Sequence, residues 1–275
     1  MGGVPILIDF AASIVTRDAV MTLAPEPPEA KAGGIGARLY QLAYGAPSEM
    51  MPVYHRELEK LAEATGERLR ILIIGGGTLA EGEDELEQAA RYEVVRTDIY
   101  LGPNVDIVCD GHALPFADAS FDAVLCQAVI EHVLDPAQVV NEIHRVLRRG
   151  GLVAAETSFM QQVHMDAYDF TRFTVSGHRW LFRRFEEVAA DIRGGAGLSL
   201  IWSIGILARS LRLGRKGAAI ATALFAWVKL ADRFGLRKLR EDGANGVWFV
   251  GRASDAEMKP ADMVRYYEDR RARDG

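Results

Sequence analysis

The sequence predicts an α/β fold with a doubly wound, mostly parallel sheet, and two features lead to this prediction. Between residues 69 and 193, short apolar runs alternate with amphipathic segments, as in consecutive β-α-β units. The first run, LRILIIG over 69–75, has almost no polar residue, as in a strand buried on both faces. Because ligands of such folds bind at the carboxyl ends of the strands, the glycines that end this run mark the expected site.

The individual elements follow from apolar period, capping residues and glycine breaks. Strands are predicted over 69–75, 92–99, 105–111, 121–129, 151–158, 185–193 and 246–253. Helices are predicted over 37–45, 48–65, 82–92 and 135–149. The last of these begins with Asp135-Pro136, a good helix start, and ends at Gly150-Gly151.

Composition divides the chain into four parts. Residues 1–36 form an N-terminal arm and linker, because the Pro- and Gly-rich stretch over 24–36 leaves the preceding arm weakly attached. Residues 37–68 are N-terminal helices, 69–253 are the main domain, and 254–275 are a charged tail that is helical or frayed.

An apolar and basic helical insertion is predicted over 198–240, before the last strand. It carries nine basic residues and one acid, Asp232, a balance of +8 in a protein of net charge −6. Three uses are open for it: contact with a membrane interface, a homodimer surface or pocket lid, and a helical cap on the sheet.

The bulk numbers limit the class of protein. The 275 residues suit one large α/β domain with additions, and the net charge of −6 argues against general nucleic-acid binding. Cys109 and Cys126 fall in predicted strands, where reduced thiols of a cytoplasmic protein are expected. The N-terminus lacks the basic start of a secretory signal, and no apolar run reaches the ~20 residues that span a bilayer. We therefore expect a cytoplasmic protein, with the membrane's cytoplasmic face as an option for the insertion.

The glycine loop and the next strand's end form a cofactor pattern. Gly75, Gly76 and Gly77 allow positive φ angles and close approach of a ligand to the backbone. Asp98 ends the following strand, where a carboxylate accepts hydrogen bonds from both hydroxyls of a ribose. This spacing suits a dinucleotide and S-adenosylmethionine equally.

Two later stretches separate these cofactors: CDGHALPFADASFDAVLCQAVIEHV over 109–133 and EIHRVLRRGGLVAAET over 142–157. The order of glycine loop, Asp98 and these blocks resembles the class I S-adenosylmethionine-dependent methyltransferases, and most of all their type 11 methyltransferase domain. The resemblance covers roughly 69–193, with 246–252 similar to the family's last strand. It implies a seven-stranded Rossmann-like sheet that binds S-adenosyl-L-methionine.

The resemblance also implies roles for matching residues. The glycine loop would pass under the cofactor, and Asp98 would bind its ribose, with Ile99 against the adenine. Asp110 would accept from the adenine amino group, while Gly111 would offer backbone contacts. Gln127 would lie near the methionine end and the acceptor.

The segment HMDAYDFTRFT over 164–174 is the expected place for acceptor chemistry. His164 is the candidate general base, because an imidazole titrates near neutral pH, and Asp166 or Asp169 would orient it. Arg172 would hold an anionic group of the acceptor. The alternative is a structural ion pair between Asp169 and Arg172. For Glu131-His132 a packing role and a site role are both open.

The sequence therefore predicts methyl transfer, to oxygen rather than another atom, on a small-molecule, glycan or lipid-linked acceptor. No cluster of His, Cys and carboxylates has metal-ligand spacing along the chain, so no metal is expected. Ile73 and Leu79 stand where the resembling family usually has an acid and a glycine. They favour the alternative of a non-catalytic protein that binds S-adenosylmethionine. An NAD(P)-dependent oxidoreductase is the other alternative.

Overall fold

The structure, a computed structural model, describes residues 3–21, 42–45, 48–80, 82–165, 167–234 and 237–272. The strands are β1 (Ile6–Leu7), β2 (Leu69–Ile74), β3 (Tyr92–Asp98), β4 (Ile107–Cys109), β5 (Phe121–Gln127), β6 (Leu147–Ser158), β7 (Phe185–Arg193) and β8 (Gly246–Ala253). The helices are α1 (Arg17–Val20), α2 (Met50–Thr65), α3 (Asp84–Gln88), α4 (Pro136–Val146), α5 (Val175–Leu181), α6 (Ala196–Ser210), α7 (Gly214–Phe225), α8 (Ala231–Phe234), α9 (Arg237–Asp242) and α10 (Pro260–Ala272). Short 3₁₀ turns occupy Ile130–His132 and Ala226–Leu230.

The strands form one sheet in the order β1-β4-β3-β2-β5-β6-β8-β7. β8 runs antiparallel to both of its neighbours, and the other pairings are parallel. The order reverses between β2 and β5, so a crevice opens at the carboxyl ends of these two strands. The predicted doubly wound α/β fold is confirmed, with eight strands among the described residues rather than seven.

The extra strand corrects the expectation of a weakly attached N-terminal arm. Ile6 and Leu7 pair with Val108 and Cys109 at the edge of the sheet. Val15 and Val20 are buried against β4 and the loop before it. The alternation of apolar residues over 4–10 makes this arm a half-buried edge strand. The linker that was predicted over 24–36 lies outside the described residues.

Helices cover both faces of the sheet, as the uninterrupted apolar strands require. Alternate residues of β2 point to opposite faces. Leu72 and Ile74 belong to the cluster that packs against α4. Ile71 and Ile73 belong to the cluster that packs against α2, where Tyr54 is fully buried. Two apolar layers therefore hold β2 and the loop after it in place.

Two predicted helices are shorter than expected. The helix expected over 82–92 is only α3, because Glu83 is buried in an ion pair with Arg96 of β3 and Ala89 is already extended. The helix expected over 135–149 ends at Val146, and β6 starts at once. Asp135 caps α4 as predicted, accepting a hydrogen bond from the backbone N–H of Gln138 at 3.0 Å.

The insertion is helical, as predicted, and its one acid is structural. α6 and α7 pack side by side and are followed by the 3₁₀ turn, α8 and α9. Asp232 accepts hydrogen bonds from the backbone N–H groups of Gly195, Gly197 and Leu198 at 2.8–3.1 Å, so it caps α6. Because Asp232 binds backbone N–H groups, it is not paired with a basic side chain in these contacts. The nine basic residues of the insertion still outnumber its one acid. No helix within the described part of the chain is long and apolar enough to cross a bilayer.

Candidate functional site

The glycine loop after β2 is held tightly, and Gly75 is its most constrained residue. Its φ is +81°, and a Cβ atom there would lie 2.2 Å from Cγ2 of Val129. The backbone N–H groups of Gly75 and Gly76 both donate to the carbonyl of Thr97 at 2.9 Å. Glycine is required here by backbone conformation and by the close approach of the chain after β5.

Gly77, the last glycine of the loop, contacts Asp98 at the end of β3. The Gly77 N–H donates to Oδ2 of Asp98 at 2.9 Å, and a Cβ on Gly77 would lie 2.7 Å from that oxygen. Oδ1 accepts from the N–H of Tyr100 at 3.0 Å. Burial raises the pKa of Asp98, and these backbone hydrogen bonds oppose the rise. Two carboxylate oxygens offer about four acceptor sites, so the side chain retains room for ribose hydroxyls.

Asp110 is more engaged than its predicted adenine contact implies. Ser13 of the N-terminal arm donates to its Oδ2 at 2.5 Å, and the N–H and ring Nδ1 of His112 contact Oδ1 at 3.0 and 2.6 Å. Burial raises the pKa of Asp110, but the hydrogen bonds from His112 and Ser13 outweigh it and lower the pKa to about 2. Sequence reasoning missed Ser13, because its contact comes from a segment that was expected to be loose.

The other predicted cofactor residues lie around the same crevice. Ile99 packs in the cluster of the N-terminal arm, beside Tyr168. Gly111 lies against Val139 of α4, with space for a Cβ at ordinary contact distance. Gln127 ends β5, and its buried Oε1 has no hydrogen-bond partner among the described residues. A buried acceptor without a donor is costly, so this atom suits a ligand N–H.

On the acceptor side, Arg172 forms the ion pair with Asp169 that was the alternative to its predicted contact with an anion. All five of its N–H groups have partners. Nη1 and Nη2 form a bidentate ion pair with Asp169, the second bond at 2.9 Å. The remaining donors bind the carbonyls of Gln161, Gln162 and Thr171. Arg172 therefore fixes the loop, as the alternative of a structural ion pair stated, and has no N–H left to hold an anion.

Asp169 supports His164 through the backbone. Its Oδ2 accepts from the N–H of His164 at 2.8 Å and lies 3.5 Å from the ring Nδ1. Burial raises the pKa of Asp169, but hydrogen bonds from Arg172 and from the His164 backbone lower it to about 2. Asp166, the other residue predicted to orient His164, lies outside the described residues.

His164 belongs to a cluster that motif spacing did not reveal. The 3₁₀ turn after β5 places Glu131 and His132 next to it, with the two imidazole rings 5.0 Å apart. Burial lowers the pKa of His132. The residues come from two loops, so only the fold brings them together.

An open cavity of about 380 Å³ lies beside Gln162, whose carbonyl oxygen is 3.0 Å from Nδ1 of His164. It is lined by Phe159, Met160, Gln161, Gln162, Ala196, Ser199, Leu200, Ser203 and Gly243. Trp202 of α6 makes an edge contact with His164, with 5.7 Å between the rings. The insertion therefore supplies one wall of the pocket, and the loop after β6 supplies the other.

The comparisons with known proteins indicate a methyltransferase domain in the middle of the chain. The methyltransferase-domain family matches residues 81–155. A demethylmenaquinone methyltransferase of Renibacterium salmoninarum is 37% identical over 100 residues, covering 32% of this chain and 41% of that protein. A ubiquinone/menaquinone biosynthesis C-methyltransferase of Roseobacter denitrificans is 36% identical over 107 residues, covering 38% of this chain and 39% of that protein.

A solved structure is similar over most of its length. The putative sarcosine dimethylglycine methyltransferase of Galdieria sulphuraria is 18% identical, with a TM-score of 0.47, and the match covers 80% of this chain and 97% of that one. The chain spans about two fifths of the length of the two curated relatives. The span that matches the family model includes Asp98, Asp110 and Gln127. Over residues 81–155 the chain is therefore similar to the methyltransferase-domain family.

Proposed function

We propose that the protein transfers a methyl group from S-adenosylmethionine to an oxygen of a small-molecule, glycan or lipid-linked acceptor. The observation that carries this proposal is the contact between Gly77 and Asp98 at the carboxyl edge of β2 and β3. It creates a backbone cradle with a carboxylate at its rim, next to the span that matches methyltransferase domains. The family match favours S-adenosylmethionine over a dinucleotide in that cradle.

The chain's own residues divide the work of holding the cofactor. Asp98 would accept the ribose hydroxyls, while the unpartnered Oε1 of Gln127 would accept an N–H of the methionine amino group. This contact would compensate for Ile73, which is buried in the core on the α2 face instead of offering an acid. When bound, S-adenosylmethionine supplies an electrophilic methyl on its sulfonium.

The acceptor would occupy the cavity between the loop after β6 and α6. Its walls are mostly apolar, and the buried Oε1 of Gln162 has no partner among the described residues, so it can accept from an acceptor hydroxyl. His164 donates its Nδ1–H to the carbonyl of Gln162 at 3.0 Å, which leaves Nε2 to take a proton. His164 is the proposed general base of the reaction.

Carbon methylation of a quinone-type acceptor is a second candidate, because one curated relative is named a demethylmenaquinone methyltransferase and the other a ubiquinone/menaquinone biosynthesis C-methyltransferase. One experiment separates the candidates. The protein is incubated with a host extract and S-adenosylmethionine labelled in the methyl group, and labelled products are analysed by mass spectrometry and mild acid or base cleavage. We expect a labelled methyl on oxygen. A label on carbon would favour the second candidate, and no labelled product would favour a non-catalytic binding protein.

We also propose that the insertion binds an anionic lipid surface. Its exposed large apolar side chains are Leu200, Leu207, Leu211, Leu213, Ile220, Leu224, Phe225, Trp227, Leu230, Phe234 and Leu239. Ile220 and Leu224 lie on one side of α7, with Trp227 just beyond it, and Trp227 is 66% exposed. The exposed basic side chains are Arg209, Arg212, Arg215, Lys216 and Arg233. Apolar side chains among cations that have no acidic partner within the described part of the chain match the interface of an anionic bilayer.

Vesicle sedimentation tests this surface. At low salt, the protein should sediment with vesicles that contain phosphatidylglycerol, and less of it should sediment with neutral vesicles. The double variant Leu224→Ser, Trp227→Ser should bind at least ~10-fold more weakly, because two large side chains no longer enter the lipid. Val264→Ser is the control, since Val264 is equally exposed but lies on α10. A salt-stable dimer without vesicle binding would instead show that a second copy covers this face.

A further inference from the structure

Glu131, His132 and His164 form a compact set of ligating groups beside the acceptor cavity. One carboxylate oxygen of Glu131 and one nitrogen of each imidazole lie within 4.8 Å of one another. Glu131 and His132 belong to the turn after β5, and His164 to the loop after β6. Val129, two residues before Glu131, touches Gly75, so the set stands next to the cofactor loop.

Both imidazoles have the same orientation toward the backbone. Nδ1 of His132 is 2.8 Å from the carbonyl of Tyr168, and Nδ1 of His164 is 3.0 Å from the carbonyl of Gln162. A carbonyl can only accept, so each Nδ1 carries the proton and each Nε2 keeps its lone pair. Histidines that bind metals are held in this way, with one ring nitrogen donating to a carbonyl and the other free for the ion.

The carboxylate of Glu131 is buried and only half satisfied. Its side chain is 1% exposed. Oε1 accepts from the backbone N–H and the hydroxyl of Ser158 at 3.1 and 2.7 Å. Oε2 has no partner among the described residues. A buried carboxylate oxygen without a donor is expensive, and the fold keeps this carboxylate within 4.8 Å of one ring nitrogen of each imidazole.

We propose that Glu131, His132 and His164 bind one divalent transition-metal cation, through Oε2 and the two Nε2 atoms. Two imidazoles and one carboxylate suit Zn²⁺, Mn²⁺ or Fe²⁺ better than Mg²⁺ or Ca²⁺. Ligands about 2.1 Å from an ion lie roughly 3.4 Å apart, so the three groups draw together when the ion binds. His164 makes most of this movement, because it lies on the exposed loop while Glu131 is fixed by Ser158.

Three protein ligands leave a coordination position for an oxygen of the acceptor. Resting on the proposed function, a bound hydroxyl would lose its proton to water as its pKa falls on the cation. Its oxygen would then form the bond to the methyl carbon while the methyl–sulfur bond breaks, and the sulfonium would become a neutral thioether. His164 would act as a ligand in this arrangement, and the cation would replace it as the group that activates the hydroxyl.

Cobalt titration tests the site without any turnover. Co²⁺ is added to the full chain after treatment with a chelator, and its visible d–d absorption is recorded. We expect one cobalt per chain, displaced by Zn²⁺, with nitrogen and oxygen ligation and no thiolate band, since Cys109 and Cys126 are buried. His164→Gln and His132→Gln should each bind cobalt at least ~10-fold more weakly. Circular dichroism confirms that the variants are folded.

A matched control and an independent readout complete the experiment. His144→Gln changes a half-buried histidine that also contacts one backbone carbonyl, of Ser254, but lies on α4 away from the cluster. It should bind cobalt like the wild type. Binding of S-adenosylhomocysteine should persist in all three variants, so loss of the metal and failure of the proposed function are separate results. Wild-type binding no tighter than in His164→Gln would overturn the metal site.

Discussion

Two edges of the proposed site are built differently: the cofactor edge, around Gly77 and Asp98, and the acceptor edge, around Glu131, Gln162 and His164. At the cofactor edge, the carboxylates already serve the fold: Asp98 holds the glycine loop, and Asp110 holds Ser13 and His112. At the acceptor edge, buried polar atoms stay without partners, as with Oε2 of Glu131 and Oε1 of Gln162. The carboxylates of the first edge are therefore engaged before any ligand arrives, whereas the second edge keeps a carboxylate oxygen without a donor for what enters it.

The difference extends to the surfaces. The glycine loop is packed between two apolar clusters, with Ile73 and Ile74 buried on either side of β2. The insertion beside the acceptor cavity instead exposes apolar and basic side chains. The two edges therefore need different tests. At the first edge a substitution should weaken ligand binding, and at the second it must be decided whether a residue stabilises the fold or binds the acceptor.

Asp98→Asn tests the cofactor edge and should give the largest effect on ligand affinity. An amide has one acceptor oxygen instead of two and no charge, so it cannot accept from Gly77, Tyr100 and both ribose hydroxyls, and affinity for S-adenosylhomocysteine should fall roughly 100-fold, about 2.7 kcal/mol, by calorimetry. Asp106→Asn is the matched control, because Asp106 also accepts a backbone N–H, that of Arg96 at 2.8 Å, at the other side of β3. Equal losses in both variants would mean that Asp98 acts only through the fold.

Arg172→Gln tests whether the ion pair at the acceptor edge is structural. Loss of a bidentate, charge-assisted pair with Asp169 should lower the free energy of unfolding by about 2 kcal/mol in urea denaturation. Arg209→Gln, an exposed arginine of α6, should change it by less than ~0.5 kcal/mol. Unchanged stability together with a higher KM for the acceptor would restore Arg172 as a substrate contact.

His178 is a buried histidine whose Nε2 has no hydrogen-bond partner among the described residues. It lies on α5, just after the acceptor loop, and burial lowers its pKa to about 3. The neutral ring therefore stabilises the fold above the unfolded-state pKa near 6.5, and this contribution is lost as pH falls toward 3.

The variant His178→Phe isolates this contribution, since its neighbours include Phe173 and Phe182. Between pH 7 and pH 5.5 the wild type should lose about 1.2 kcal/mol of unfolding free energy relative to the variant. Chemical denaturation at a series of pH values measures the difference. Parallel curves would show that His178 is hydrated.

The sequence predicted the structure best where a short local pattern determines both an element and a candidate site residue. The run into Gly75 predicted β2 and its loop, because an apolar strand followed by glycine has few alternatives. Motif spacing placed Asp98 at the same edge. The edge strand β1 was missed, because two residues pair only once β4 is in place. The meeting of Glu131 and His164 depends on two separate loops, so no linear spacing could indicate it.

Arg172 shows why sequence alone leaves two roles open for one residue. Its sequence position is equally consistent with binding an anion and with pairing to Asp169, and the choice depends on which carbonyls lie nearby. The fold supplies those of Gln161, Gln162 and Thr171, and these use the donors that an anion would need.

Calorimetry of the full chain with S-adenosylhomocysteine and, separately, with NAD⁺ tests the central claim most directly. The proposed cradle of Gly75, Gly77 and Asp98 predicts one molecule of S-adenosylhomocysteine bound per chain and no heat with NAD⁺. Binding of NAD⁺ without binding of S-adenosylhomocysteine would contradict the assignment of the cofactor and of methyl transfer.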